Sequence, residues 1–159
     1  PAADRGGKRP CRGATCDHVG VKVSTRGDYA TRALLSIALH DHSGPTSVKE
    51  IAERTGLPQP YLEQILLAVK GAGIVRSKRG VGGGYVLARA PEEITLADVV
   101  AAVDGPITSI LDEHDHREGH CVVQDVWVRV SDSMRDVLDA FTLADLVKQT
   151  RAGHTTDAR

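Results

Sequence analysis

The sequence predicts a mainly α-helical fold with one small β-hairpin. Two observations indicate helices: apolar residues recur at three- and four-residue spacing between residues 24 and 73, and a second stripe continues from Val123 to Phe141. A third observation indicates the hairpin, because the stretch KRGVGGGYVL at 78–87 places glycines between two β-prone segments. In chain order these elements predict a winged helix-turn-helix domain at 21–105, followed by a long C-terminal dimerisation helix.

Composition limits the size and class of the protein. At 159 residues, 41% of them hydrophobic, the chain can bury one modest core and add an arm that needs a partner. No apolar run approaches the roughly 18 residues that span a bilayer, so we expect a soluble, cytoplasmic protein with no membrane partner. Three cysteines give no disulfide framework, which favours free thiols or metal ligation.

The net charge of −1 conceals an uneven distribution along the chain. Residues 1–20 carry a net +2, residues 21–89 a net +5 and residues 90–159 a net −8. A basic middle beside an acidic end suggests that one half binds a polyanion and that the other half has a different task.

The first twenty residues differ from the rest of the chain. Residues 1–20 show no hydrophobic period and are rich in Gly, Pro and charge, so we expect a disordered N-terminal extension. The stretch VKVSTRGDYA reads as a natural beginning, with Val21 as a candidate initiator position. The extension is therefore interpreted as a segment that need not be native, and its Cys11 and Cys16 are expected to contribute little as metal ligands.

The first helix is predicted from Ser24 to near His40, on an apolar stripe with three- and four-residue spacing. A second, short helix follows at 48–55, because SVKE at 47–50 has the spacing of a capping box and Gly56 can close the helix.

A third helix opens at LPQP, residues 57–60, and ends at 71–73. Its buried face is predicted to comprise Leu62, Ile65, Leu66 and Val69. Two short helices joined by a turn of about four residues form a helix-turn-helix. Soluble helical bundles also use this geometry, so the motif alone does not establish DNA binding.

The glycine-rich stretch has two interpretations. A phosphate-binding loop needs a Lys-Ser or Lys-Thr pair and a helix after the glycines, whereas here YVLA follows at 85–88 and IVRSK precedes at 74–78. Strands on both sides predict a hairpin, and a hairpin directly after a helix-turn-helix is a wing. Its glycines supply positive φ and remove side chains where the backbone must come close to something. The alternative is a solvated hairpin that happens to be basic.

The C-terminal third is predicted to contain three further helices. Thr95 can cap a helix that ends at Gly105, residues 106–121 form a polar sensor loop, and residues 122–150 hold the dimerisation helix and a short helix capped by Thr142. A disordered tail is expected at 151–159. The dimerisation stripe comprises Val123, Val126, Trp127, Val130, Met134, Val137, Leu138 and Phe141. So long a stripe exceeds what one small domain can cover, although a core helix of the same subunit is the alternative.

The stretches STRGDYATRALLSIAL, YLEQ at 61–64 and RGVGGGY at 79–85 resemble the Rrf2 family of bacterial winged-helix transcription regulators. The resemblance covers roughly residues 21–148. It implies a homodimeric repressor that binds a pseudo-palindromic operator in double-stranded DNA. The recognition helix would lie in the major groove and the wing in the neighbouring minor groove.

The DNA-contacting residues expected on this basis form three groups. Residues at the start of the recognition helix meet base edges, with Gln59 suited to adenine and Glu63 to cytosine; this group comprises Pro58, Gln59, Tyr61, Glu63 and Gln64. Arg79 suits a narrow minor groove, in which the neighbouring glycines leave room; this group comprises Arg79, Gly82, Gly83 and Tyr85. Phosphate contacts are assigned to Arg26, Tyr29, Arg76 and Lys78. Tyr61 and Tyr85 have packing as an alternative role.

The sensor segment departs from the cluster-binding members of the family, which have three cysteines before the dimerisation helix. Cys121 matches the last of them and the other two are missing; Asp28 matches a position from which one relative supplies a carboxylate. One thiol is too few for a conventional iron-sulfur cluster. The loop does contain imidazoles beside the thiol, a set that suits zinc, copper or an unusual cluster: His114, His116, His120 and Cys121.

Three other interpretations of this segment stay open. Cys121 alone could act as a redox switch, the protein could be regulated by a metabolic enzyme as a partner, or these residues could be a solvated loop. For the whole protein, an interaction module that acts through its acidic C-terminal half is the alternative to a DNA-binding regulator. An enzyme is not expected, because no nucleophile, base and orienting group form a recognisable constellation.

Overall fold

The computed structural model describes residues 24–106 and 120–156, with side chains in the second range described for 125–153. The described chain is mostly helical with one antiparallel hairpin, as the sequence predicts. Its elements are α1 Thr25–Leu39, α2 Val48–Thr55, α3 Gln59–Gly71, β1 Val75–Lys78, β2 Gly84–Leu87, α4 Leu96–Asp104, α5 His120–Asp139 and α6 Leu143–Thr156. The predictions for residues 1–20 and for His114 and His116 fall outside the described residues.

Local capping fixes the ends of the first helices. The Ser24 hydroxyl accepts from the Gly27 N–H at the start of α1. At α2 the capping box is complete, since Ser47 accepts from the Glu50 N–H and the Glu50 carboxylate accepts from the Ser47 N–H at 2.7 Å. Gly56 ends α2 in the left-handed conformation, with φ of 69°. These bounds confirm the predicted ones. They could be predicted because the capping signals are contained in a few neighbouring residues.

The core is assembled around α1, which contacts α2, α3, α4, α6 and β2. Small residues on its inner face, Ala30 and Ala33, allow the neighbouring helices to approach closely. The predicted inner face of α3 is fully buried. The largest completely buried side chains are Leu34, Ile37, Ile51, Leu62, Ile65, Leu66, Ile74, Ile94 and Leu143.

The wing is a two-stranded antiparallel sheet in which Val75 pairs with Leu87 and Lys78 with Gly84. A further bridge, absent from the sequence prediction, joins Thr46 to Tyr85 through N–H···O bonds of 3.0 and 2.8 Å. Thr46 directly precedes the capping residue of α2. The wing is therefore fastened to the helix-turn-helix by the backbone as well as by side-chain packing.

The C-terminal helices return to the domain. Thr142 caps α6 and Asp145 closes a second capping box with it. A backbone bridge between Thr95 and Thr142 ties the α5–α6 turn to the start of α4. α6 then packs against α1.

Two predicted bounds in this region are wrong. α6 continues to Thr156, so a disordered tail from residue 151 is incorrect for 151–156. Arg151 and Ala152 are good helix formers, and Gly153 alone does not end the helix. α5 begins at His120, which places His120 and Cys121 in its first turn rather than in the loop. None of the described helices is both long enough and apolar enough to cross a membrane.

Candidate nucleic-acid interface

The start of α3 presents polar side chains to solvent while its other face is buried. Pro58, Gln59, Glu63 and Gln64 are all exposed. The Gln59 amide nitrogen donates to the Glu63 carboxylate at 3.3 Å, which joins two of the predicted base-contacting residues across one helical turn. The pair is exposed and held by a single hydrogen bond, so either side chain can exchange it for a base edge at little cost.

Tyr61 packs against Tyr29 of α1 in an edge-to-face contact, with ring centroids 5.5 Å apart. Both rings are partly buried against the core. Such a pair stabilises the packing of α1 on α3 beyond the apolar area that it buries. The contact supports the packing role for Tyr61, and it connects the start of the recognition helix to the α1 turn that carries the exposed Arg26.

The wing carries its charges on one side. Arg76 and Lys78 share the outward face of β1, because strand residues alternate and Val75 is buried on the other face. Ser77, which is exposed, accepts a hydrogen bond from the Lys70 ammonium of α3 at 2.8 Å. Arg79 is exposed at the turn, and residues 75–87 contain no carboxylate. The hairpin therefore presents three cations, none paired within it, and the Lys70–Ser77 bond joins it to the C-terminal end of α3.

The wing glycines are required for two different reasons, a positive φ at two of them and a close backbone contact at the other two. Gly80 and Gly82 adopt φ of 104° and 72°, conformations that side chains disfavour. At Gly83 and Gly84 a Cβ atom would overlap backbone atoms, those of Lys78 at Gly83 and those of Thr46 at Gly84. The sequence predicts that glycines here let the backbone come close to something, with Gly82 and Gly83 leaving room in a minor groove. At Gly83 and Gly84 the close neighbour is the protein's own chain, and Tyr85 is partly buried against the core.

The stripe on α5 is largely uncovered. Val126, Trp127 and Val137 are 54%, 51% and 60% exposed. They belong to a surface that borders an open groove of about 610 Å³, lined by Val126, Arg129, Val130, Ser133, Met134, Val137 and Leu138. α5 packs mainly against α4, which covers a different face. Phe141 lies two residues beyond the helix end, so its predicted place on the helix is wrong, and the Val123 side chain is outside the described set.

Helix-turn-helix, bridged wing and exposed basic surface together define a winged helix-turn-helix protein of the DNA-binding class. The family model described as an iron-dependent transcriptional regulator, Rrf2, matches residues 23–149. The chain belongs to the Rrf2 family of transcriptional regulators.

Three relatives each span about four fifths of this chain. The transcriptional regulator CymR of Bacillus subtilis is 37% identical over 130 residues, covering 82% of this chain and 92% of the relative. The regulator IscR of Erwinia tasmaniensis is 36% identical over 132 residues, covering 80% and 79%. The solved structure of T. potens IscR superposes with a TM-score of 0.69 at 42% identity, covering 82% of this chain and 89% of that one. These relatives are transcriptional regulators rather than enzymes.

The residues present do not fit a three-cysteine iron-sulfur cluster. Cys121 is the one cysteine after residue 16 in the sequence. The Asp28 carboxylate accepts from Arg32, with contacts of 2.9 and 3.2 Å, in an exposed i,i+4 pair of the kind that contributes little to stability. Within residues 24–106 and 125–153, no three His, Cys, Asp or Glu side chains come together as a metal site.

Two contributors to the interface went unpredicted. Thr46 fastens the wing through its backbone, a role that leaves no side-chain signature. Lys70 is an exposed cation at the end of α3 whose ammonium reaches the wing. Its seven-residue separation from Ser77 across the helix–strand junction gives no periodic signal, although a count of cations near the wing would have included it.

Proposed function

We propose that the protein is a homodimeric, sequence-specific DNA-binding repressor that acts on a pseudo-palindromic operator. The observation that carries the proposal is a carboxylate-free basic wing in the same domain as a recognition helix whose first turns are exposed and polar. A phosphate backbone favours such a surface because each neutralised phosphate releases counterions.

Within this proposal the contacts divide by chemistry. Gln59 and Glu63 read bases in the major groove, helped by Pro58 and Gln64, since amide and carboxylate groups match adenine and cytosine edges. Arg79 enters the minor groove. Arg26, Arg76 and Lys78 hold phosphates and fix the register without reading sequence.

The second subunit binds at the exposed face of α5. Pairing two copies of this stripe would bury Val126, Trp127 and Val137, which are otherwise costly to expose. A two-fold axis between the helices presents two wings and two recognition helices to one duplex, which accounts for a pseudo-palindromic site.

We also propose that residues 106–121 carry the regulatory input. Cys121 is in the first turn of α5, so oxidation of its thiol, or binding of a metal or a partner protein there, acts on the dimerising helix. Metal analysis and a visible absorption spectrum of anaerobically purified protein separate these chemistries. A Cys121→Ser variant whose DNA binding responds to oxidant as the wild type does would exclude the thiol.

The test of DNA binding is fluorescence anisotropy with the protein's own promoter DNA and a scrambled duplex of equal length. We expect tighter binding to the promoter and, for six to ten phosphate contacts per dimer, a loss of roughly three to five powers of ten in affinity between about 50 and 200 mM salt. Absence of binding at low salt would favour an interaction module instead. A flat salt response would exclude the proposed wing contacts.

A further inference from the structure

Residues 24–106 leave two large apolar side chains exposed, and both lie on elements assigned to DNA. Leu67 of α3 is 68% exposed, and Val81 is fully exposed at the tip of the wing. The other exposed large apolar side chains of the described residues lie on α5 or directly after it. Single exposed leucines are ordinary on protein surfaces. Whether Leu67 has a function therefore depends on where it lies on α3.

Leu67 lies near the centre of the exposed face of α3. It follows Glu63 by four residues and Gln64 by three, so the three side chains share one face of the helix. The opposite, buried face comprises Leu62, Ile65, Leu66 and Val69. At 3.6 residues per turn, Leu67 lies about 150° around the helix axis from the middle of that buried face. It therefore points away from the core, among the side chains assigned to base edges.

Helix geometry also limits how far Leu67 lies from those side chains. Four residues rise about 6 Å along the helix axis, and a helical side chain leans back over the preceding turn. The Leu67 side chain therefore covers the turn that carries Glu63. Successive base pairs are about 3.4 Å apart, so a base that meets Leu67 lies within about two or three base pairs of one that meets Glu63.

The major groove offers an exposed leucine one apolar group among the four bases. Base edges there present hydrogen-bond donors and acceptors, and thymine adds its C5-methyl group. We propose that Leu67 is a specificity-determining residue that packs on the C5-methyl group of a thymine, an inference that rests on the proposed function. The contact removes two apolar groups from water and needs no hydrogen bond. Leu67 thus selects a thymine in each half-site, near the bases that Gln59 and Glu63 contact.

The test replaces thymine by uracil, which lacks only the methyl group. Promoter DNA is amplified with dUTP in place of dTTP, and fluorescence anisotropy compares its affinity for the full chain with that of the ordinary duplex. Both bases have the same minor-groove edge, so the wing contacts are preserved. We expect the uracil duplex to bind about fourfold more weakly for each half-site, the contribution of one buried methyl group. Equal affinities of the wild-type protein for the two duplexes would overturn the proposal.

Variants at Leu67 assign the preference to this side chain. Leu67→Ala should lose most of the thymine preference, because the shorter side chain no longer reaches the methyl group. Leu67→Met is the matched control, since it keeps an apolar side chain of similar size and should keep the preference. Both substitutes are good helix formers at an exposed position, so circular dichroism should show an intact fold. A preference that Leu67→Ala keeps in full would place the methyl contact on another residue and refute the role of Leu67.

Uracil placed at one thymine at a time locates the contact. The thymine at which uracil weakens binding should lie within about two or three base pairs of the base pair at which Glu63→Ala loses discrimination. A sensitive thymine at a greater distance would contradict the placement of Leu67.

Two further results separate this contact from the wing and from DNA binding itself. Arg79→Ala should weaken binding to both duplexes by the same factor, because Arg79 is assigned to the minor groove. A thymine preference that disappears in Arg79→Ala would show that it does not arise in the major groove, and would sink the proposal. A wild-type protein that binds neither duplex at low salt refutes the proposed function, whereas one that binds both equally refutes only the role of Leu67.

Discussion

At the scale of single residues, Glu50 shows how one side chain stabilises the helix-turn-helix. The Ser47 hydroxyl and then the Ser47 backbone N–H donate to its carboxylate, and these bonds lower the pKa of Glu50 below its ordinary value. Bonds from the Thr142 N–H and hydroxyl lower the pKa of Asp145 in the same way. A lowered folded-state pKa means stabilisation that is present above the unfolded-state pKa, about 4, and lost as pH falls through the folded-state pKa.

Glu50→Gln should therefore reduce the free energy of unfolding at neutral pH, and the difference from the wild type should shrink as the solution is acidified below about pH 4. Urea denaturation at a series of pH values, at fixed protein concentration, measures this difference. Glu53→Gln serves as the control, since Glu53 is exposed on the same helix in a loose pair with Lys49 and outside the capping box. A difference for Glu50→Gln that is independent of pH would contradict the assigned cause.

Arg79 is the residue on which the minor-groove contact depends. Arg79→Ala should weaken promoter binding by about 1–3 kcal/mol and reduce the preference for a narrow groove. Arg89→Ala is the control, because Arg89 lies beyond the wing and pairs with Asp98 of α4 at 3.1 Å. Anisotropy titrations of both variants on the same duplexes measure the effect. Equal affinities for Arg79→Ala and wild type would place Arg79 in solvent.

Among elements, the wing depends on a backbone contact that only glycine permits. A Cβ at Gly84 would overlap the Thr46 backbone, which cannot rotate away as a side chain can. Gly84→Ala should lower the free energy of unfolding by about 1–3 kcal/mol. Gly71→Ala, at a helical glycine with no neighbouring atom within 4 Å, should leave stability unchanged or raise it by up to about 1 kcal/mol. Thermal and urea unfolding measure both, and equal stability of Gly84→Ala and wild type would refute the contact.

Elements with local signals could be predicted from the sequence. The capping box at Ser47, the left-handed Gly56 and the buried stripe of α3 each occupy a few neighbouring residues, and their helices have the expected bounds. The Thr46–Tyr85 bridge joins residues that are distant in sequence and uses backbone atoms, so no residue pattern predicts it. α6 continues past residue 150 and through Gly153, so a glycine near the expected end does not by itself fix where this helix stops.

In the candidate nucleic-acid interface, too, the features with local sequence signals are the ones that could be predicted. Exposure of Arg76, Lys78 and Arg79 followed from strand alternation and the turn, both local properties. Pairing of Gln59 with Glu63 also has helical spacing and could have been anticipated.

At the scale of the whole molecule, the basic wing and the exposed stripe of α5 lie on separate elements, and the proposed dimer would combine two wings through one α5–α5 contact. Trp127 is half exposed in the isolated subunit and lies in the middle of the α5 stripe. Interface tryptophans are frequent hot spots that contribute about 2 kcal/mol or more, and an aspartate there would have to be buried with its charge. Trp127→Asp should therefore raise the dimer dissociation constant by at least about thirtyfold.

Operator affinity of Trp127→Asp should fall in parallel, because a single subunit contacts only half of a pseudo-palindromic site. Analytical ultracentrifugation over a range of protein concentrations measures the dissociation, and circular dichroism verifies that the helices are intact. Asp132→Asn, which alters an exposed charge on another face of α5, should sediment as the wild type does. A Trp127→Asp protein that keeps its mass in solution would place the dimer contact elsewhere, whereas a monomer with undiminished operator affinity would show that one wing and one recognition helix suffice.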